Sequence, residues 1–280
     1  MTKLKLGLIG DNIARSRSPM LHRIAGQQNG IEVTYDRLVP KDLGHSFDEV
    51  FADCTAGEFR GINVTYPYKE IAAAKVQVDD PLVRAVGAVN TVIFGEDGPK
   101  GFNTDYSGFM AAYRNVRGER PTGPVLMIGT GGVGRAVAFG LAGLGTRELR
   151  LVDRDPAKAE ALAAALQTVV PDMDVSIWIS AEKAAQGATG LINCTPVGMV
   201  GYGGTPLDAA AMPGAEWAFD AVYTPTDTQF LTDAEAAGLS IISGWELFFF
   251  QGVHAWSLFS GLGLDEENLR SSLLSLGEAA

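Results

Sequence analysis

The residues with the clearest chemistry are glycines. Gly129, Gly131 and Gly134 stand in Gly-x-Gly-x-x-Gly spacing, with Thr130, Gly132 and Val133 filling the gaps. The apolar run Val125-Leu126-Met127-Ile128 precedes them, and a helical run from Arg135 to Leu144 follows. In that setting glycine permits a tight turn, close approach of a pyrophosphate to backbone N–H groups, and tight packing of helix on strand. The chemistry is dinucleotide binding. Asp153 ends the next strand candidate, where a carboxylate takes the ribose hydroxyls of the cofactor. A surface turn residue ahead of Pro156 is the other reading of Asp153.

Metal chemistry finds no support. His22, His45 and His254 are scattered, with no acid or thiol at ligand spacing, and Cys54 and Cys194 lie far apart. Two reduced thiols suit a cytosolic protein. The formal net charge of −11 disfavours phosphate backbones and anionic membranes, so no nucleic-acid or membrane partner is expected. An anionic substrate must then be held by local donors. The first apolar run stops at Gly10, too short for a signal peptide's apolar region. The stretch from Leu247 to Leu264 is interrupted by Gln251, Gly252, His254, Ser257 and Ser260, as in a core-facing helix. A cytoplasmic monomer or homodimer is expected.

The elements that must position these residues follow from periodicity. Leu6 to Gly10, Thr34 to Val39 and Ile62 to Val64 are strand candidates, with helices over Pro19 to Gln28 and Leu43 to Phe51 between them. The cluster Pro121-Thr122-Gly123-Pro124 has the composition of a linker. After it come strand candidates at Val125–Ile128, Glu148–Val152, Val175–Ile179, Gly190–Asn193, Trp217–Ala221 and Ser240–Ile242. Strands alternating with helices predict an α/β chain of parallel β-α units, with ligands at the carboxyl ends of the strands. The expected division is a substrate domain over 1–105, a Rossmann-type dinucleotide domain over 106–244, and C-terminal helices over 245–280 that pack back on the substrate domain.

Short motifs narrow the reading. The N-terminal half carries Ser16-Arg17-Ser18-Pro19, Gly61-Ile62-Asn63-Val64-Thr65-Tyr66-Pro67-Tyr68-Lys69, Gly87-Ala88-Val89-Asn90-Thr91 and Gly101-Phe102-Asn103-Thr104-Asp105. The C-terminal half adds Asn193-Cys194-Thr195-Pro196-Val197-Gly198-Met199, Asp220-Ala221-Val222-Tyr223-Thr224-Pro225, and a helix with Gln251. Singly each is weak, but in this order they resemble the shikimate dehydrogenase family over nearly the whole chain. The resemblance implies two α/β domains with a cleft between them, NAD or NADP as cofactor, and a small cyclic polyol carboxylate as substrate. By motif position, Ser16 and Ser18 would bind the carboxylate. Asn63, Thr65, Asn90, Asp105 and Gln251 would hold the rest of the substrate, Tyr223 would reach it from the second domain, and Lys69 would be the acid/base beside Asp105. Beyond the glycine loop, Asp153, Arg154, Thr195, Pro196, Val197, Ala221 and Gly244 would line the cofactor.

The residue types make sense in their own right. A polyol needs many convergent neutral donors and acceptors, and alcohol oxidation needs a base for the hydroxyl proton while a nicotinamide takes the hydride. Taken alone, Lys69 is equally a solvated lysine at a helix start, and Asp105 a helix N-terminal carboxylate. Their Asn-Val-Thr-x-Pro-x-Lys and Asn-Thr-Asp settings move both toward function.

Three departures from the family pattern stand out. Arg15 precedes the serines where the family usually has histidine. Leu247-Phe248 stands where Met-Leu is common. Asp153-Arg154-Asp155 replaces the Asn-Arg-Thr of NADP-using members. The last points to NAD with NADP possible; the others point to a paralogue acting on quinate or aminoshikimate instead of, or as well as, shikimate. A nucleotide-binding regulator is the alternative outside enzymology, but it has no need of Lys69 and Asp105. A folate or amino-acid dehydrogenase has no need of the Ser-x-Ser site.

Overall fold

A computed structural model describes residues 2–277, which cluster into two compact units. The first runs to Thr104 and resumes at Gln251; the second is Asp105–Phe250.

In the first unit, the chain forms β1 (Lys3–Ile9), α1 (Ser18–Gln28), β2 (Glu32–Leu38), α2 (Pro40–Leu43), α3 (Phe47–Ala56), β3 (Gly61–Val64), α4 (Lys69–Ala73), α5 (Pro81–Val86), β4 (Thr91–Gly95) and β5 (Gly98–Phe102). The sheet order is β2-β1-β3-β4-β5. The first three strands are parallel, as expected, whereas β4 and β5 form an antiparallel hairpin on the far edge. The helix expected over Leu43 to Phe51 is two helices. Gly44 ends the first in the left-handed region at φ 71, and Ser46 with Glu49 caps the second reciprocally.

The second unit holds the rest of α6 (Thr104–Arg117), then β6 (Val125–Ile128), α7 (Gly132–Gly143), β7 (Glu148–Val152), α8 (Pro156–Val169), β8 (Asp174–Trp178), α9 (Ala181–Ala185), β9 (Gly190–Asn193), a 3₁₀ turn at Ala209–Ala211, β10 (Trp217–Asp220), α10 (Gln229–Ala236) and β11 (Ser240–Ile242). Its sheet is wholly parallel in the order β11-β10-β9-β6-β7-β8. Counted from β6 as the first strand, that is the doubly wound 3-2-1-4-5-6 order of dinucleotide-binding domains. β6, β9 and β10 are buried at every residue, as strands covered on both faces must be.

The Pro121–Pro124 cluster is not a linker. Thr122 is buried, its carbonyl accepts from Trp217 Nε1 at 3.0 Å, and its hydroxyl lies 2.8 Å from that of Thr146. The chain changes unit at Thr104–Asp105 instead, and returns within α11 (Gly244–Ser260). The C-terminal helices therefore divide: 244–250 cluster with the second unit, while the remainder of α11 and α12 (Glu266–Gly277) belong to the first. There Gly252 lets α11 press on Leu21, since a Cβ at that position would stand only 2.4 Å from the Leu21 side chain, and the Arg17 guanidinium donates to the Leu273 carbonyl.

Candidate active site

Parallel pairing places Ile9 beside Val64, so the chain leaving β1 and the chain leaving β3 emerge together. Gly10 makes this possible, since a Cβ there would lie 2.3 Å from Thr65 Cγ2. The Thr65 N–H donates to Ile9 O at 2.9 Å, and the Asp11 N–H donates to Tyr66 O at 3.2 Å. The hairpin completes the arrangement, because Asn63 pairs with Thr91 and sets Asn90 beside Val64. Ser16, Ser18, Thr65, Lys69 and Asn90 thus lie on loops and helix starts at one end of the five-stranded sheet.

Local bonds hold each of them. The Ser16 and Ser18 hydroxyls are 3.2 Å apart, and Arg37 on β2 donates to the Ser16 carbonyl at 2.9 Å. Lys69 opens α4 half-buried, its carbonyl accepting from the Val89 N–H at 3.0 Å. Tyr68, the residue before it, stacks on Phe47 with centroids 4.9 Å apart and donates its hydroxyl to Asp11 at 2.7 Å. Asn90 is buried. Its Oδ1 accepts from the Thr104 N–H at 2.7 Å and from the Thr91 and Thr104 hydroxyls, which leaves Nδ2 for another partner.

Asn63, expected as a substrate ligand, is held by its neighbours. Its side chain is buried, and Nδ2 donates to Asn90 O at 3.3 Å and Thr91 Oγ1 at 3.0 Å, while Oδ1 accepts from Tyr35 at 2.8 Å. With both amide hydrogens spent on the frame, Asn63 positions Asn90 from beneath. Tyr35, Arg37 and Tyr68 gave no functional signal in the sequence. Only the pairing of β2 with β1 and the packing of α3 bring them to this end.

His22 lies beneath the same network, fully buried, stacked on Tyr35 at 5.1 Å and edge-on to Phe259 at 5.4 Å. Burial pushes its pKa down to about 3, and the Asn63 side chain raises it only slightly. The folded-state value lies below the unfolded one, so this histidine stabilises the protein above about pH 6.5 and the contribution fades as pH falls toward 3. By pH 5 the loss is about 2 kcal/mol. Denaturant titrations at pH 8 and pH 5 should show that loss in the wild type and not in His22→Phe; equal losses in both would contradict it.

In the second unit, Gly129 follows β6 at φ 95, and a Cβ on it would stand 2.8 Å from the Cys194 backbone. A Cβ on Gly134 would meet the Gly129 carbonyl at 2.3 Å. Those two glycines close the turn, while Gly131 and Gly132 are exposed and a Cβ there would meet nothing within 4 Å. Gly131 offers α7 no side-chain cap, so the first-turn N–H groups suit a pyrophosphate. Thr130 is buried, with N–H and hydroxyl both donating to Asp153 Oδ2 at 2.7 Å, and Asp155 N–H donates to Oδ1 at 2.9 Å. Partial burial raises the Asp153 pKa, but the Asp155 and Thr130 hydrogen bonds outweigh it and keep the carboxyl below its usual range. Arg154 and Pro196 are exposed, while Val133, Thr195, Val197, Ala221 and Tyr223 are half-exposed. Gly244 is buried against the Ala221–Val222 backbone, where a Cβ would stand 2.4 Å from Val222 O. Gly129 after β6 and Cys194 after β9 mark the point where strand order reverses, the usual seat of a dinucleotide. The residues present fit that group.

Among the described residues no group of three or more His, Cys, Asp and Glu is placed to hold a metal ion, and no helix is long and apolar enough to cross a membrane. Residues 8–92 match the family model of the shikimate dehydrogenase substrate binding domain. Over 97% of its length the chain is 37% identical to a quinate/shikimate dehydrogenase (NAD(+)) of Corynebacterium efficiens, 98% of which is covered. The chain belongs to the shikimate dehydrogenase family. It is accordingly an oxidoreductase. A shikimate dehydrogenase (NADP(+)) of Arthrobacter sp. is 35% identical over 97% of this chain and 94% of its own. Among solved structures, the family's quinate dehydrogenase from Corynebacterium glutamicum, in complex with NAD, has a TM-score of 0.93 at 31% identity, covering 98% of this chain and 100% of that one.

Proposed function

We propose that this protein catalyses the reversible, NAD-dependent oxidation of shikimate to 3-dehydroshikimate. The gathering of Ser16, Ser18, Thr65, Lys69 and Asn90 at one sheet end, in a chain related along its whole length to quinate/shikimate dehydrogenases, carries this reading. Ser16 and Ser18 bind the carboxylate, Thr65 and Asn90 Nδ2 hold ring hydroxyls, and Asp105, Gln251 and Tyr223 complete the recognition of the substrate. Lys69 accepts the proton of the reacting hydroxyl and returns it in the reverse direction. The nicotinamide, when bound, supplies the hydride acceptor. Gly129 to Val133 hold the pyrophosphate, Asp153 the adenosine ribose, and Thr195 to Val197, Ala221 and Gly244 the remainder of the cofactor. The protein works in the cytoplasm as a monomer or homodimer, without nucleic-acid partners.

Quinate is the second reading. Phe248, at one of the departures from the family pattern, stacks on Tyr223 with centroids 5.5 Å apart and planes 11° from parallel. A broad ring fixed against a substrate-facing tyrosine favours a pocket of altered shape. The name of the C. efficiens relative includes quinate beside shikimate.

The cofactor assignment has its own test. Asp153 is pinned and ionised at neutral pH, and beside a 2′-phosphate it costs on the order of 2–3 kcal/mol after screening and some relief from Arg154. Catalytic efficiency with NAD should exceed that with NADP by roughly 30- to 150-fold. In Asp153→Asn the preference should collapse. Equal use of both nucleotides by the wild type would mean that the Arg154 guanidinium clamps the phosphate and Asp153 does not discriminate.

A further inference from the structure

Asp220, the last residue of β10, is fully buried and sits in register with Asn193, the last residue of β9. Three donors from separate pieces of chain converge on its carboxylate. Asn193 Nδ2 donates to Oδ1 at 3.0 Å, the Val222 N–H to Oδ1 at 2.9 Å, and the Thr228 hydroxyl to Oδ2 at 2.6 Å. The first bond fixes which way the Asn193 amide points. Its Nδ2 also donates to Val197 O at 3.0 Å, and its Oδ1 accepts from the Thr195 N–H at 2.9 Å and the Thr195 hydroxyl at 2.7 Å. The third bond orients Thr228, which accepts from the Leu231 N–H at 3.3 Å and caps α10. Burial pushes the Asp220 pKa up to about 6, and the bonds from Thr228, Val222 and Asn193 recover only part of that shift. A buried carboxylate tolerates its site only while every donor is in place, so the loop after β9 and the loop after β10 hold their shapes together or not at all.

We propose that Asp220 is a positioning residue that locks the 194–198 loop to the 221–228 loop and through them sets the affinity for NAD. The proposal rests on the cofactor roles given above to Thr195, Pro196, Val197 and Ala221. A role confined to fold stability would lower the melting temperature without singling out the nucleotide, and this distinguishes the two.

The experiment measures NAD dissociation constants by calorimetry beside KM and kcat for NAD and shikimate. Asp220→Ala should raise both the dissociation constant and KM for NAD at least about tenfold, with a smaller rise in KM for shikimate, about threefold, through Tyr223 on the 221–228 loop. Asp220→Asn should stay within about threefold of wild type, because its amide oxygen keeps the Asn193 and Val222 donors and its N–H can turn to Thr228 Oγ1. Thr228→Val, which deletes one donor at nearly constant volume, should weaken NAD by about three- to tenfold. Unchanged NAD affinity in a folded Asp220→Ala protein, or an equal rise in KM for shikimate, would overturn the proposal. If Asp220→Ala does not fold, Thr228→Val decides by the same two measures. A wild type that binds no NAD would overturn the cofactor assignment itself, and this role with it.

Discussion

Replacing Lys69 by alanine should lower turnover by roughly 10²–10⁴-fold while NAD affinity stays nearly intact. The size of the effect follows from the loss of a group that moves a proton in the transition state, and its selectivity from Lys69 belonging to the first unit while the glycine loop belongs to the second. The lysine has a prepared place. Its carbonyl is tied to the Val89 N–H, and Tyr68 is clamped between the Phe47 ring and the Asp11 carboxylate. Lys69→Arg should rescue little, because a guanidinium keeps its proton. Asp105→Asn should weaken turnover and substrate binding together. A Lys69→Ala protein with near-normal turnover would remove the lysine from the mechanism.

The second large effect belongs to the carboxylate site. Ser16 and Ser18 present two hydroxyls 3.2 Å apart, and the Arg37 bond to the Ser16 carbonyl fixes the turn that carries them. A hydrogen bond to a charged group contributes about 1.5–3 kcal/mol, so Ser16→Ala with Ser18→Ala should raise KM for acid substrates by roughly 10²–10⁴-fold. Turnover at saturation should fall far less, since these groups touch a part of the substrate that does not react. Unchanged KM would place the carboxylate elsewhere, with exposed Arg15 the first candidate.

The second unit was legible in the sequence because its strands are parallel and buried on both faces. Runs such as Val125–Ile128 and Gly190–Asn193 are continuous apolar stretches ended by turn residues, and they fold over those residues. The β4–β5 hairpin was not legible, since Gly98-Pro99-Lys100-Gly101 carries no alternation of apolar and polar residues. A signal was present in Asp97-Gly98, where Gly98 takes φ 95 as the first residue of β5, directly after the two-residue turn Glu96-Asp97. The same holds for α3, which Ser46 and Glu49 announce as a capping pair. Asn63 shows a different limit. Motif position puts an amide near the substrate, but only the long-range pairing with Tyr35 and Thr91 reveals that its hydrogens are already committed. Asp220 stood in a quoted motif without a role, because its three donors come from residues 193, 222 and 228 and meet only in the folded sheet.

The most direct measurement mixes the purified protein with shikimate, quinate or aminoshikimate and either nucleotide, and follows the absorbance of reduced nicotinamide. Shikimate should reduce NAD readily and NADP far more slowly. Quinate should give a second, separate rate if the Phe248–Tyr223 stack widens the acceptance of the site. A folded protein that reduces neither nucleotide with any of the three polyols would contradict the assigned reaction.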